Sequence, residues 1–216
     1  MNCCIHIGFH KTGSTSIQNF LQLNKNILSD QGIFTPDFDC SNHSTPIFSI
    51  YTKNPHLYMQ NIIQNRCGSI AIDQYNNNNK KILYSAITEN PGQLFIISGE
   101  GISRLDAEEL LSLKNDMKKY FQHIFIFAYA REPFSYITSL TNQLHKLYGG
   151  LMCNYIKKIK EDVYFFINYK NILKKFINIF GKSNVICVNY DTKTFRNKNV
   201  IFDFIDRLKI EENINY

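Results

Sequence analysis

Lys11 lies between two glycines, Gly8 and Gly13, in the stretch IHIGFHKTGSTSIQNFL, which runs from an apolar segment through a polar turn into a helical pattern. A turn between a strand and a helix points consecutive backbone N–H groups at one spot, and the helix dipole adds positive potential there, so such a turn holds a phosphate with little side-chain help. Gly8 and Gly13 let the backbone approach closely, and the hydroxyls of Ser14, Thr15 and Ser16 can donate to phosphate oxygens. The nucleotide-binding pattern G-x-x-x-x-G-K-[ST] has its lysine where Ser14 stands here. The cation is instead moved back to Lys11, near the tip of the loop, on the side facing a group to be transferred.

Four short apolar runs, CCIHI (3–7), LFIIS (94–98), IFIFAYA (124–130) and VICVNY (185–190), read as buried strands. Helical patterns separate them. Ile17, Phe20, Leu21, Ile27 and Leu28 share one face, Asp106 with Glu109 forms a capping pair ahead of LLSLKNDMKKYF, and Gly181 closes a helix through NILKKFINIF. Strands alternating with helices predict an α/β domain of three layers, with a central parallel sheet flanked by helices in a P-loop-like arrangement. At 216 residues the chain reads as a single domain, 1–216. Residues 33–81, with Pro36, Pro46, Pro55 and the run Asn76 to Asn79, read as an irregular insertion. Ligands of open α/β sheets bind beyond the carboxyl ends of the strands, so an acceptor pocket is expected there.

Hydrophobic residues make up 44% and charged residues 19% of the chain, a globular composition. The net charge of +6 suits an anionic ligand, but it is spread over KK pairs with acidic neighbours and does not mark a nucleic-acid surface. The 6 cysteines show no C-x-x-C spacing, which argues against a zinc site and against a disulfide framework. No apolar stretch approaches the ~20 residues of a membrane span and no leader layout precedes the first strand, so the expected setting is cytoplasmic.

FHKTGSTSIQ in this position resembles the 5′-phosphosulfate loop of the sulfotransferases that use 3′-phosphoadenosine 5′-phosphosulfate (PAPS) and release 3′-phosphoadenosine 5′-phosphate (PAP). A second likeness lies downstream in IFIFAYAREPFSYITSL, where Arg131 ends a strand and Ser139 follows eight residues later. In that family an arginine and a serine so spaced bind the 3′-phosphate. The layout of VICVNYDTKTFRNKNVIFDFIDRL is similar to the end of bacterial and Golgi-type carbohydrate sulfotransferases, whereas the glycine-rich segment of the cytosolic branch is not found. The resemblance implies that His10, Lys11, Thr12, Gly13, Ser14, Thr15 and Ser16 surround the 5′-phosphosulfate and that Arg131 and Ser139 hold the 3′-phosphate. It implies no metal. The acceptor would be a hydroxyl of a carbohydrate or other small molecule, with peripheral contact to a membrane if that substrate is a glycolipid.

Sulfuryl transfer needs a cation at the leaving oxygen, assigned to Lys11, and a base for the acceptor hydroxyl. Glu100, just past a buried strand in LFIISGEGIS, is the first candidate base, and His43 in CSNHSTP is the second. His6 reads as a core residue, and His145 carries no role. Two alternatives stand beside this reading: a nucleotide or small-molecule kinase, and a non-catalytic protein that binds PAPS or PAP.

Overall fold

The computed structural model describes residues 1–66, 68–148 and 168–211, with the backbone alone at 143–148, so that the side chain of His145 lies outside the description. One parallel sheet contains β1 (Asn2–His6), β2 (Ile33–Phe34), β3 (Leu94–Ser98), β4 (His123–Ala130) and β5 (Val185–Asn189), in the order β2-β3-β1-β4-β5. The helices are α1 (Ser14–Leu23), α2 (Lys25–Asp30), α3 (Ser44–Tyr51), α4 (Met59–Ile63), α5 (Ser69–Thr88), α6 (Ala107–Met117), α7 (Pro133–Tyr148), α8 (Tyr169–Phe180) and α9 (Val200–Leu208). Among the described residues no helix is long and apolar enough to cross a membrane.

Successive residues of a strand point to opposite faces, and the core divides accordingly. Cys3, Ile5, Phe95, Ile97, Ile124 and Ile126 pack on one side with apolar residues of α3, α5, α6 and α8. Cys4, Ile96, Phe127 and Tyr129 pack on the other with residues of α1, α2 and α9. The three α/β layers are therefore present. Across the second interface the Tyr129 hydroxyl donates to Asp203 at 2.6 Å, and Arg207 holds the same carboxylate at 2.7 Å. This sets α9 against β4.

Three expectations need correction. β5 is an edge strand and is only partly covered, with Ile186 42% exposed. The face through Ile17 and Leu28 belongs to two helices, not one, because the chain turns at the buried Asn24, whose amide donates to Phe20 O at 3.0 Å. Most of 33–81 is helical, and the asparagine run lies inside the 20-residue α5. Its buried stripe, Ile72, Leu83 and Ile87, is sparse, and polar residues do the rest: Asn76 donates to Ser49 O at 3.0 Å and Asn79 to Tyr75 O at 2.8 Å. Pro46 falls in the first turn of α3, where its missing N–H has no intrahelical partner to lose. The fifth strand, β2, has two residues, too few to show a period.

The caps behave as read. Asp106 accepts from Glu109 N and Glu109 returns a bond to Asp106 N, both at 2.8 Å, and Gly181 ends α8 at φ 91°. The Glu109 N–H leads the contacts that hold the Asp106 carboxyl below its usual range. A carboxyl depressed in the folded state stabilises above the unfolded value and loses that contribution as pH falls. Asp106→Ala is expected to cost about 1 kcal/mol in urea unfolding at pH 7. Its deficit relative to the parent should shrink below pH ~4, where the unfolded carboxyl protonates.

Candidate active site

The loop between β1 and α1 departs from regular backbone at three places: Gly8 at φ 26°, Lys11 at φ 63° and Gly13 at φ 73°. Only glycine suits the first and last. A Cβ on Gly8 would stand 2.5 Å from Ser14 Oγ and 3.3 Å from Glu100 Cγ, and one on Gly13 would stand 2.7 Å from Val200 Cγ1. Thr12 and Ser14 are buried with their hydroxyls turned inward to Phe9 O, so they close the loop upon itself. Thr15 and Ser16 are exposed on the first turn of α1.

The N-terminus of α1 has Gly13 as its cap, no side-chain cap bond and no acidic residue in its first turn. Two other helices at this end of the sheet, α6 and α7, differ. Asp106 caps α6, and the Glu132 carboxylate accepts from Phe134 N at 2.8 Å and Ser135 N at 2.6 Å at the start of α7, bonds that lower the Glu132 pKa. The first turn of α1 thus carries neither a side-chain cap nor an acidic residue of its own, a condition under which a helix start attracts an anion.

Arg131, at the end of β4, ties this loop to α7. Its Nη1 donates to Lys11 O at 2.9 Å, its Nε donates to Ser135 Oγ at 2.9 Å, and its guanidinium lies 5.4 Å from the Tyr190 ring centroid. Lys11, Arg131 and Ser139 meet at one cavity of about 660 Å³, together with Phe134, Ser135, Thr138 and Asn142. The two motifs, 120 residues apart at the Arg131–Lys11 bond, therefore converge. Ser135, Thr138 and Asn142 were not singled out from sequence, although Ser135, Thr138, Ser139 and Asn142 have the i, i+3, i+4, i+7 spacing of one helical face.

Glu100 opens a short 3₁₀ turn after β3, half-buried above Gly8, with its Oε2 3.8 Å from His10 Nδ1. Glu100 and His10 are thus brought beside the loop. His43 is placed differently from the open loop expected of it. It is 4% exposed, its backbone N–H donates to Ser98 O at 2.9 Å, and its ring Nδ1 accepts from Ser98 N at 3.1 Å. That ring fastens the start of α3 to the end of β3, and it does not present Nδ1 to a substrate hydroxyl. The neighbouring Ser44 continues the seam by accepting from Gly101 N at 2.9 Å. His6 is a core residue bonded to Ser98 Oγ at 2.8 Å.

No family model matches the sequence, and no curated protein matches it. Among solved structures the chain is similar to a sulfotransferase from Alicyclobacillus acidocaldarius, with 11% identity and a TM-score of 0.56 over 99% of this chain and 83% of that one. It is also similar to the sulfotransferase domain of the olefin synthase from Synechococcus PCC 7002, with 14% identity and a TM-score of 0.55 over 99% of this chain and 74% of that one. The protein has the α/β fold of these sulfotransferases.

Burial pushes His43 down to about 4 and His6 down to about 3. Both are neutral in the fold and protonate more readily once unfolded, so stability rises with pH between the folded values and ~6.5. Urea unfolding between pH 7.5 and 5 should show falling stability with an uptake approaching two protons. His43→Asn, which keeps an acceptor for Ser98 N, should remove about one of them. A flat profile across that range would mean that the rings are not held neutral.

Proposed function

We propose that this protein is a PAPS-dependent sulfotransferase that moves a sulfuryl group onto the hydroxyl of an acceptor, a carbohydrate or glycolipid by the resemblance to the carbohydrate branch. The observation that carries the reading is the convergence of Lys11, Arg131 and Ser139 on one cavity beside the uncapped start of α1, in a fold shared with sulfotransferases. The residues fit the donor: there are two cationic side chains, a face of hydroxyls on α7, and two glycines where any Cβ would intrude on a neighbour. The volume is that of a small-molecule site.

PAPS supplies the sulfuryl group: the acceptor oxygen bonds to sulfur while the S–O bond to the 5′-phosphate breaks, and the electron pair leaves on the phosphate oxygen. Lys11 and the α1 N–H groups stabilise that growing charge. Arg131 grips the 3′-phosphate and, through Lys11 O, keeps the loop in place. Glu100 accepts the acceptor proton. A cytoplasmic setting is supported by the free thiols of Cys3, Cys4, Cys40 and Cys187. The kinase alternative gains nothing from the structure, since Ser14, which stands at the kinase lysine position, turns its hydroxyl inward to Phe9 O.

Transfer from PAPS to acceptor should fall ~10²- to 10³-fold in Lys11→Ala, as on loss of one transition-state donor. Glu100→Gln should lose ~10²- to 10⁴-fold of turnover with PAP affinity kept within about twofold. Full turnover in Lys11→Ala contradicts the mechanism, and full turnover in Glu100→Gln removes Glu100 as the base.

A further inference from the structure

A second cleft, of about 530 Å³, lies between the loop after β2 and helices α4 and α5. Its polar wall carries carboxamides: Asn42 from the loop, Gln60 from α4, Gln64 from the turn that closes α4, and Asn78 and Asn79 from α5. Among the described lining residues Asp39 bears the one formal charge. A carboxamide has two donors and an acceptor; Asn42 Oδ1, Gln64 Oε1 and the Asn79 amide already bond within the protein, and the remaining groups still present both polarities to the cleft. That suits a ligand whose groups both donate and accept, which is the property of a hydroxyl.

The wall is held rigidly. Asn61, buried on the inner side of α4, donates to Ser49 Oγ at 2.9 Å and to Pro55 O at 2.8 Å, which fixes the helix that carries Gln60 and is capped by Gln64. Tyr75, which lines the floor, has the Arg66 guanidinium 3.8 Å from its ring centroid. Asn79 is 5% exposed, and its amide is anchored on Tyr75 O. Such preorganisation lowers the ordering cost of binding a flexible chain.

The cleft is also joined to the Glu100 turn. Asn42 Oδ1 accepts from Ser44 N at 2.9 Å, Ser44 Oγ accepts from Gly101 N at 2.9 Å, and His43 makes its two bonds to Ser98. A Cβ on Gly99 would stand 2.7 Å from Ser44 N, so the two segments are in contact along the backbone. From these observations we infer that the carboxamide cleft binds a neutral, hydroxyl-rich saccharide chain, the part of the acceptor remote from the reacting hydroxyl. The inference rests on the sulfotransferase reading for its purpose, and on the lining of the cleft for its chemistry.

The test follows the side-chain amide resonances of Gln60, Gln64 and Asn78 by NMR as cellohexaose, maltohexaose and mannohexaose are titrated at millimolar concentration, with 1,6-hexanediol and 4-nitrophenol as controls. Saccharide-dependent shifts confined to these groups are expected with at least one hexaose. Gln64→Ala, at the exposed cap of α4, with Asn78→Ala, at an exposed position of α5, should weaken that binding about tenfold or more, from two lost hydrogen bonds. The double variant should keep the parent's PAP affinity, measured alongside by calorimetry. Silence from all three hexaoses, shifts unchanged in the double variant, or stronger binding of the diol or phenol overturns the inference. PAP binding without saccharide binding defeats this inference alone. Saccharide binding without PAP binding defeats the sulfotransferase reading and leaves the cleft as a saccharide site.

Discussion

The hydrogen bond from the Arg131 guanidinium to the carbonyl oxygen of Lys11 joins the loop after β1 directly to the end of β4. Lys11 has a positive φ, a conformation that costs a non-glycine residue free energy and persists only where its surroundings hold it. Arg131 is part of that support, and it stands at the end of β4 because β1 and β4 pair in parallel, His6 opposite Phe127, with Ile7 N continuing the ladder to Phe127 O at 3.0 Å. Strand register thus decides which loops become neighbours. The chemistry at the Lys11 cavity depends on that alignment before it depends on any single side chain.

Around this junction the fold separates attachment from opportunity. α6 and α7 begin with their own carboxylates folded back onto their N–H groups, and α1 does not. His43 and Ser44 fasten α3 to the turn that carries Glu100, so this carboxylate sits on a seam with hydrogen bonds on both sides. Gly8 leaves room for the side chains of Ser14 and Glu100, and Gly99 for the backbone of Ser44, close contacts that bring the seam and the loop together. Stability at these points comes from matched polar groups, while the two apolar clusters on either face of the sheet hold the layers.

Much of this was legible in the sequence. Runs of β-branched and aromatic residues marked β1, β3 and β4, because a parallel sheet covered on both faces selects such runs, and a similar run marked β5 at the partly covered edge. Two motifs in the right order brought Lys11, Arg131 and Ser139 together, since each ends a strand or opens a helix and so has a defined place. What escaped was phased or long-range. The stripe of Ser135, Thr138, Ser139 and Asn142 looks like solvated surface until its helix is given a direction. α5 hid behind its asparagines, whose amides satisfy backbone oxygens of α3 and α5 itself. His43 looked like a loop residue because nothing local announces that Ser98, 55 positions away, will take both of its bonds.

The central claim is that the cavity at Lys11 and Arg131 recognises a nucleotide through a 3′-phosphate. Calorimetric titration of the metal-free protein with PAP, beside adenosine 5′-phosphate and ATP, tests it most directly. PAP is expected to bind best, and Arg131→Ala to weaken it by about 10- to 150-fold, the ~1.5–3 kcal/mol of a hydrogen bond to a charged group. Equal or tighter binding of ATP, or PAP affinity indifferent to Arg131→Ala, would contradict it.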